Sequence, residues 1–150
     1  MALEKYMAIA GLALSIFFVA EVITLFNFMI NPEDNDSFGF EAAPKLFQFI
    51  SLSIAPATIM MGVSFVLSKR YGSKFNGMLI ILSGIIVLVG MVYAYTMIED
   101  LKPDLVDSAV EITPLIFICV SFPIIIIGSR LLKTRQRKPK KNYLEDGDYF

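Results

Sequence analysis

The chain has 150 residues, 56% hydrophobic and 18% charged, with a formal charge of −1, no His, no Trp and a single Cys. The apolar share lies above the 45–50% or so of ordinary globular chains and is gathered into long blocks almost free of charge, which excludes a soluble globular enzyme. Without His there is no His-ligated haem, copper or zinc site and no Ser-His or Cys-His catalytic pair. One Cys makes neither an internal disulfide nor a CxxC redox motif.

A hydrocarbon core about 30 Å thick is crossed by roughly 20 apolar residues in a helix rising about 1.5 Å each. Four blocks reach or approach that length, at about 7–30, 46–67, 78–98 and 115–132. Helix is expected for each, because in lipid a helix satisfies its own backbone polar groups. The fold class predicted is an all-α integral membrane four-helix bundle, one domain over 1–133, followed by a tail over 134–150. The first block is read as a retained span. Its apolar run exceeds the roughly 7–15 residues of a cleaved signal segment, and no small-x-small cleavage site follows.

Glu21 is the acid inside the first block. An ionised carboxylate at such depth costs at least about 2.5–3.5 kcal/mol, so it calls for a proton or a partner. Nine residues separate it from Ile30, roughly 13 Å along the helix. Thr24 lies one turn away, and Ser51, Ser53 and Ser121 reach a similar depth on the antiparallel spans, with Gln48, Tyr93 and Cys119 nearer the outer end. These residues form a candidate polar intramembrane site around Glu21. Two readings are open: a hydrogen-bonded tie between spans, or a group that binds protons, cations or another subunit. Cys119 is expected to be inert packing. The segment Ala20-Glu21-Val22-Ile23-Thr24 resembles the first-span motif of small multidrug resistance transporters, four-helix proteins whose membrane Glu exchanges protons for cationic drugs. Over these five residues the resemblance implies for Glu21 the role of proton- and cation-binding carboxylate. The long acidic loops, the absence of Trp and the basic tail depart from that family's pattern.

The first loop, NPEDNDSFGFEAA, places Asp34, Asp36 and Gly39 like positions 1, 3 and 6 of a calcium-binding loop. Lys45 stands where position 12 needs a bidentate Glu, so calcium binding of that kind is not expected. Pro44 is expected in the first turn of the second span, and Thr113-Pro114 at the start of the fourth. Pro56 and Pro123 fall inside their spans and are expected to kink them. Small residues mark helix contacts: Gly11 with Ser15, Gly77 with Gly84, and Ser83 with Gly90. Their presence on two faces of the third span suggests neighbours beyond the four helices. Asp100, Asp104, Asp107 and Glu111 recur at helical spacing beside Leu101, Leu105, Ala109 and Ile112, which predicts a short amphipathic helix on the outer surface.

Charge sets the expected orientation. Lys5, the loop with Lys69, Arg70 and Lys74, and the segment from Arg130 onward hold 11 of the 13 basic residues, whereas nine of the 14 acids lie in the other two loops. Basic excess marks the cytoplasmic side, so both termini are expected there, in a multi-pass plasma-membrane protein. Arg130, Lys133, Arg135, Arg137, Lys138, Lys140 and Lys141 are placed to meet anionic lipid headgroups, each contributing about 1 kcal/mol. The acidic-aromatic tip, with Tyr143, Tyr149 and Phe150, reads as a segment that orders on a partner subunit. No catalytic residue, cofactor, metal site or nucleic-acid partner is expected. The leading functional expectation is a non-catalytic accessory or assembly subunit of a larger membrane complex, as respiratory enzymes and membrane monooxygenases carry. The alternatives are a proton- or cation-coupled transporter centred on Glu21 and a self-associating membrane organiser or sensor.

Overall fold

The computed structural model describes residues 3–31, 41–71, 73–101, 103 and 106–133. Outside them lie most of the first loop, Asp104 of the acidic stripe and Leu105 of the apolar stripe beside it, and the whole tail, with Arg135, Arg137, Lys138, Lys140, Lys141, Tyr143, Tyr149 and Phe150. The described residues form helix α1 (Leu3–Ile30), α2 (Ala42–Phe49), a π-helical turn (Ile50–Ile54), α3 (Ala55–Tyr71), α4 (Lys74–Met97), a 3₁₀ turn (Ile98–Asp100) and α5 (Ser108–Lys133). Four stretches are long and apolar enough to cross a membrane: Leu3–Ile30, Ala42–Arg70, Lys74–Asp100 and Ser108–Lys133. Each outruns the apolar block that marks it in the sequence, because helical turns continue into polar flanks. Ser73 caps α4 by accepting from the Asn76 amide at 3.4 Å, as N-cap hydroxyls do.

The seams explain the packing. Along α1, Ala8, Gly11, Ser15, Phe18, Val22, Leu25 and Met29 are buried. Along α4, so are Asn76, Ile80, Ser83, Val87, Gly90, Ala94 and Met97. Steps alternating between three and four keep one stripe facing inward, the register of knobs-into-holes packing. α1 packs on α3 and α4, and α4 packs on α5. The opposite stripes carry large exposed side chains such as Phe17, Ile59, Met78 and Phe122, the surface that a hydrocarbon solvent accepts without cost.

Glycine allows close approach at two crossings, backbone to backbone at Gly128 and backbone to side chain at Gly90. A Cβ on Gly128 would stand 2.9 Å from the Ile81 amide nitrogen and 3.0 Å from the Gly77 carbonyl oxygen, and one on Gly90 would collide with Val19. Gly77 and Gly84 therefore face α5, while Ser83 and Gly90 face α1. This corrects the expectation of further neighbours for α4: both of its small-residue faces are filled within the bundle.

Two further expectations change. Thr113-Pro114 does not open the fourth span. α5 begins at Ser108, where the amides of Val110 and Glu111 reach the Asp107 carbonyl at 2.8 and 3.3 Å. Burial of Val110 holds these early turns on the bundle, and the Thr113 hydroxyl donates to the Ala109 carbonyl beside the proline. The acidic stripe is also divided. Asp100 ends the 3₁₀ turn and Leu101 is extended, whereas Asp107 and Glu111 belong to the start of α5.

Buried hydroxyls tie the helices together. Ser83 donates to Ser15 Oγ at 2.7 Å, and Ser15 donates to the Gly11 carbonyl at 2.9 Å. At the end of the bundle bearing Lys69, Arg70 and Arg130, Ser64 donates to the Glu4 carbonyl at 2.8 Å and Asn76 Nδ2 to Ser68 Oγ at 2.6 Å. Asn76 Oδ1 is buried with no hydrogen-bond partner among the described residues. Ser83→Ala should cost about 0.6 kcal/mol, the mean for interhelical bonds in a membrane, since Ser15 keeps its own acceptor. Ser68→Ala should cost more, about 1–3 kcal/mol, because it leaves a buried amide donor unpaired. Thermal unfolding of the two variants in one detergent checks that order.

Candidate functional site

The site grows from Pro56. Proline has no amide hydrogen, and its ring crowds the carbonyl four residues back, that of Leu52. The preceding turn widens into the π-helix Ile50–Ile54, closed by the Ala55 amide on the Ile50 carbonyl. Such bulges re-aim side chains and recur at functional sites. Here the widened turn carries Ser53, fully buried, whose hydroxyl donates to Glu21 Oε2 at 2.7 Å. The acid in the middle of the first span is thus tied to the π-helical turn of the second.

Glu21 is half-buried and lines a cleft of about 630 Å³ between α1 and α2. The α1 wall consists of Phe17, Ala20, Glu21, Thr24, Leu25 and Phe28; the α2 wall consists of Lys45, Gln48 and Phe49. The cleft opens sideways from the bundle, toward the surface that lipid would cover. Four of its nine lining residues are polar, and Thr24, Lys45 and Gln48 are exposed. On the buried face of α1, Phe18 meets Phe117 of α5 edge to face with centroids 4.8 Å apart.

The sequence-derived candidates separate. Glu21 and Ser53 are joined, and Thr24 shares the cleft. Ser51 is exposed, its hydroxyl donating to its own helix at the Phe47 carbonyl, 2.8 Å away. Ser121 is buried in α5 and donates to the Ile118 carbonyl at 2.6 Å, so its hydroxyl is not directed to Glu21. Cys119 is exposed, contrary to the expectation of a packed thiol, because the α5 seam runs through Phe117 and Ser121 and turns Cys119 outward. Arg130 and Lys133 sit in the last turn of α5, at the end shared with Lys69, Arg70 and Lys74. Lys45 was missed as a site residue; it appears in the sequence only as a loop-end cation. The signal that singles out Ser53 over Ser51 is Pro56 three residues on.

Chemically the arrangement offers one carboxylate with a fixed oxygen, two neutral hydrogen-bonding side chains and a lysine, along an apolar and aromatic wall. Among the described residues no cluster of three or more His, Cys, Asp or Glu is placed to hold a metal ion. Comparison with protein-family models, with characterised proteins and with solved structures gave no match.

Proposed function

We propose that this chain is a non-catalytic accessory or assembly subunit of a larger membrane protein complex, of the kind found in respiratory or membrane monooxygenase assemblies. The α1/α2 cleft carries this reading. Polar side chains in a spanning region face protein or water rather than acyl chains, yet Glu21, Thr24 and Gln48 open sideways. A neighbouring protein removes that cost. In the proposed arrangement both termini are cytoplasmic, in the plasma membrane. The basic ends of α3, α4 and α5 meet anionic headgroups together with the first part of the tail, and the tail's aromatic tip meets the partner. Asp107 and Glu111, both exposed, lie on the outer surface.

Gentle detergent extraction followed by native mass measurement tests the proposal. The expected species contains this chain in fixed stoichiometry with other membrane proteins. A species containing this chain alone overturns the reading. A transporter is the second reading, favoured by one observation: Ser53 holds a half-exposed carboxylate at membrane depth. Glu21→Gln separates the two. A transporter loses proton-coupled flux while remaining folded, whereas a subunit retains its membrane insertion and changes its assembly.

A further inference from the structure

The α1/α2 cleft has the outline of a helix seat. Its α1 wall steps from Phe17 through Ala20, Glu21, Thr24 and Leu25 to Phe28, a single helical stripe running about 16 Å, or three turns. Lys45, Gln48 and Phe49 repeat the spacing on α2. Ala20, a small residue near the middle, allows close approach, and small residues are what spanning helices use where they meet. A long trough open on one side differs from the enclosed cavities that bury most of a small ligand. Acyl chains fit the Phe positions and Ala20 but offer no hydrogen bond to Thr24 or Gln48, nor to Glu21 beyond the one it accepts from Ser53.

Charge decides the occupant. The carboxylate of Glu21 sits deep, with Ser53 Oγ on Oε2 at 2.7 Å, and Lys45 sits near the end of the bundle that carries Glu99, Asp100 and Asp107. We infer that the cleft seats a transmembrane helix of a partner protein that carries a Lys or Arg at the level of Glu21. The inference rests on the subunit reading above and names the partner's chemistry. The partner's cation and Glu21 are each costly in hydrocarbon alone and are matched when paired. Thr24 and Gln48 supply neutral hydrogen bonds beside that pair, and Lys45 favours an acidic or hydroxyl-bearing residue nearer the partner's outer end.

The test uses the full chain, labelled at its N-terminus, in phosphatidylcholine vesicles with labelled synthetic spanning peptides of about 23 residues. One peptide is all leucine between flanking charges; the other carries a single Lys at the level of Glu21. Energy transfer should show the Lys peptide associating about tenfold more tightly, or about 1.4 kcal/mol, with Glu21→Gln abolishing the preference. Ala20→Leu, on an exposed position that lipid tolerates, should weaken the Lys peptide's binding while Glu21 is still present. Equal association of the two peptides with the unaltered chain overturns the inference, as does a preference that survives Glu21→Gln. Dodecylamine binding in a Glu21-dependent way while the Lys peptide does not bind overturns it in favour of a small-amine site. A clear Lys preference together with a solitary native mass keeps the cleft chemistry and refutes the subunit reading; a complex without the preference does the reverse.

Discussion

Gly128→Val should destabilise the bundle more than any other single-residue change at the α4/α5 crossing. The added side chain would start from a Cβ already 2.6 Å from Ile81 Cγ1, 2.9 Å from the Ile81 amide nitrogen and 3.0 Å from the Gly77 carbonyl oxygen. Two of those three neighbours are backbone, so no rotamer change makes room and the helices must part. Overpacking of this kind costs about 1–3 kcal/mol, and the backbone clash puts Gly128→Val at the upper end. For a chain this size each kcal/mol lowers the midpoint by roughly 2–4 °C, so a loss of about 6–12 °C is expected. Gly62→Val is the control: a Cβ there meets nothing within 4 Å, and its midpoint should move little. Equal losses for the two variants would refute the α4/α5 seam.

Pro56→Ala should have the second largest effect, on the site rather than on stability. Restoring an amide at residue 56 lets the second span run as regular α-helix through 50–54. Removing the extra residue of the π-turn rotates Ser53 by about 100° relative to α3, one residue's turn in a helix of 3.6 residues. Its hydroxyl then leaves Glu21. Paired cysteines report this directly. In a Cys119→Ser background, Glu21→Cys with Ser53→Cys should be bridged by a short thiol-specific cross-linker, because the native side chains meet at 2.7 Å and the linker replaces the reach that Glu has over Cys. Adding Pro56→Ala should reduce the cross-linked yield several-fold. An unchanged yield would show that the π-turn does not place Ser53.

The fold was legible because the four apolar blocks are long and nearly uncharged. Their ends were less so: α5 starts at Ser108 rather than near Thr113, since burial of Val110 outweighs the usual first-turn preference of Pro114. Which face points inward could not be read from polarity, because Ile16 and Phe17 on the outside are as apolar as Phe18 and Val22 within. Side-chain size carried that information instead. Gly11, Ser15, Ser83 and Gly90 line the seams and are legible as small residues, although the two small-residue faces of the third span suggest neighbours beyond the bundle where the bundle fills both. At the site, helical depth counted from the span ends placed Ser51, Ser53 and Ser121 level with Glu21, which sorts height but not azimuth. Azimuth depends on the extra residue in the turn before Pro56, and it selects Ser53 alone. Lys45 entered through the third dimension only, as α2 leans on α1.

The helices are longer than the hydrocarbon core of an ordinary bilayer is thick. The four spans have 26 to 29 residues, about 39–44 Å as α-helix against a hydrocarbon core of about 30 Å. With their polar end turns among the headgroups, the apolar blocks inside them measure about 27–36 Å, so the first, at about 36 Å, must tilt or draw thicker lipid around itself. Beside a neighbour with shorter spans, the first helix imposes a step in membrane thickness along their common border. Lipid is least comfortable at such a step, and the two proteins gain by closing it.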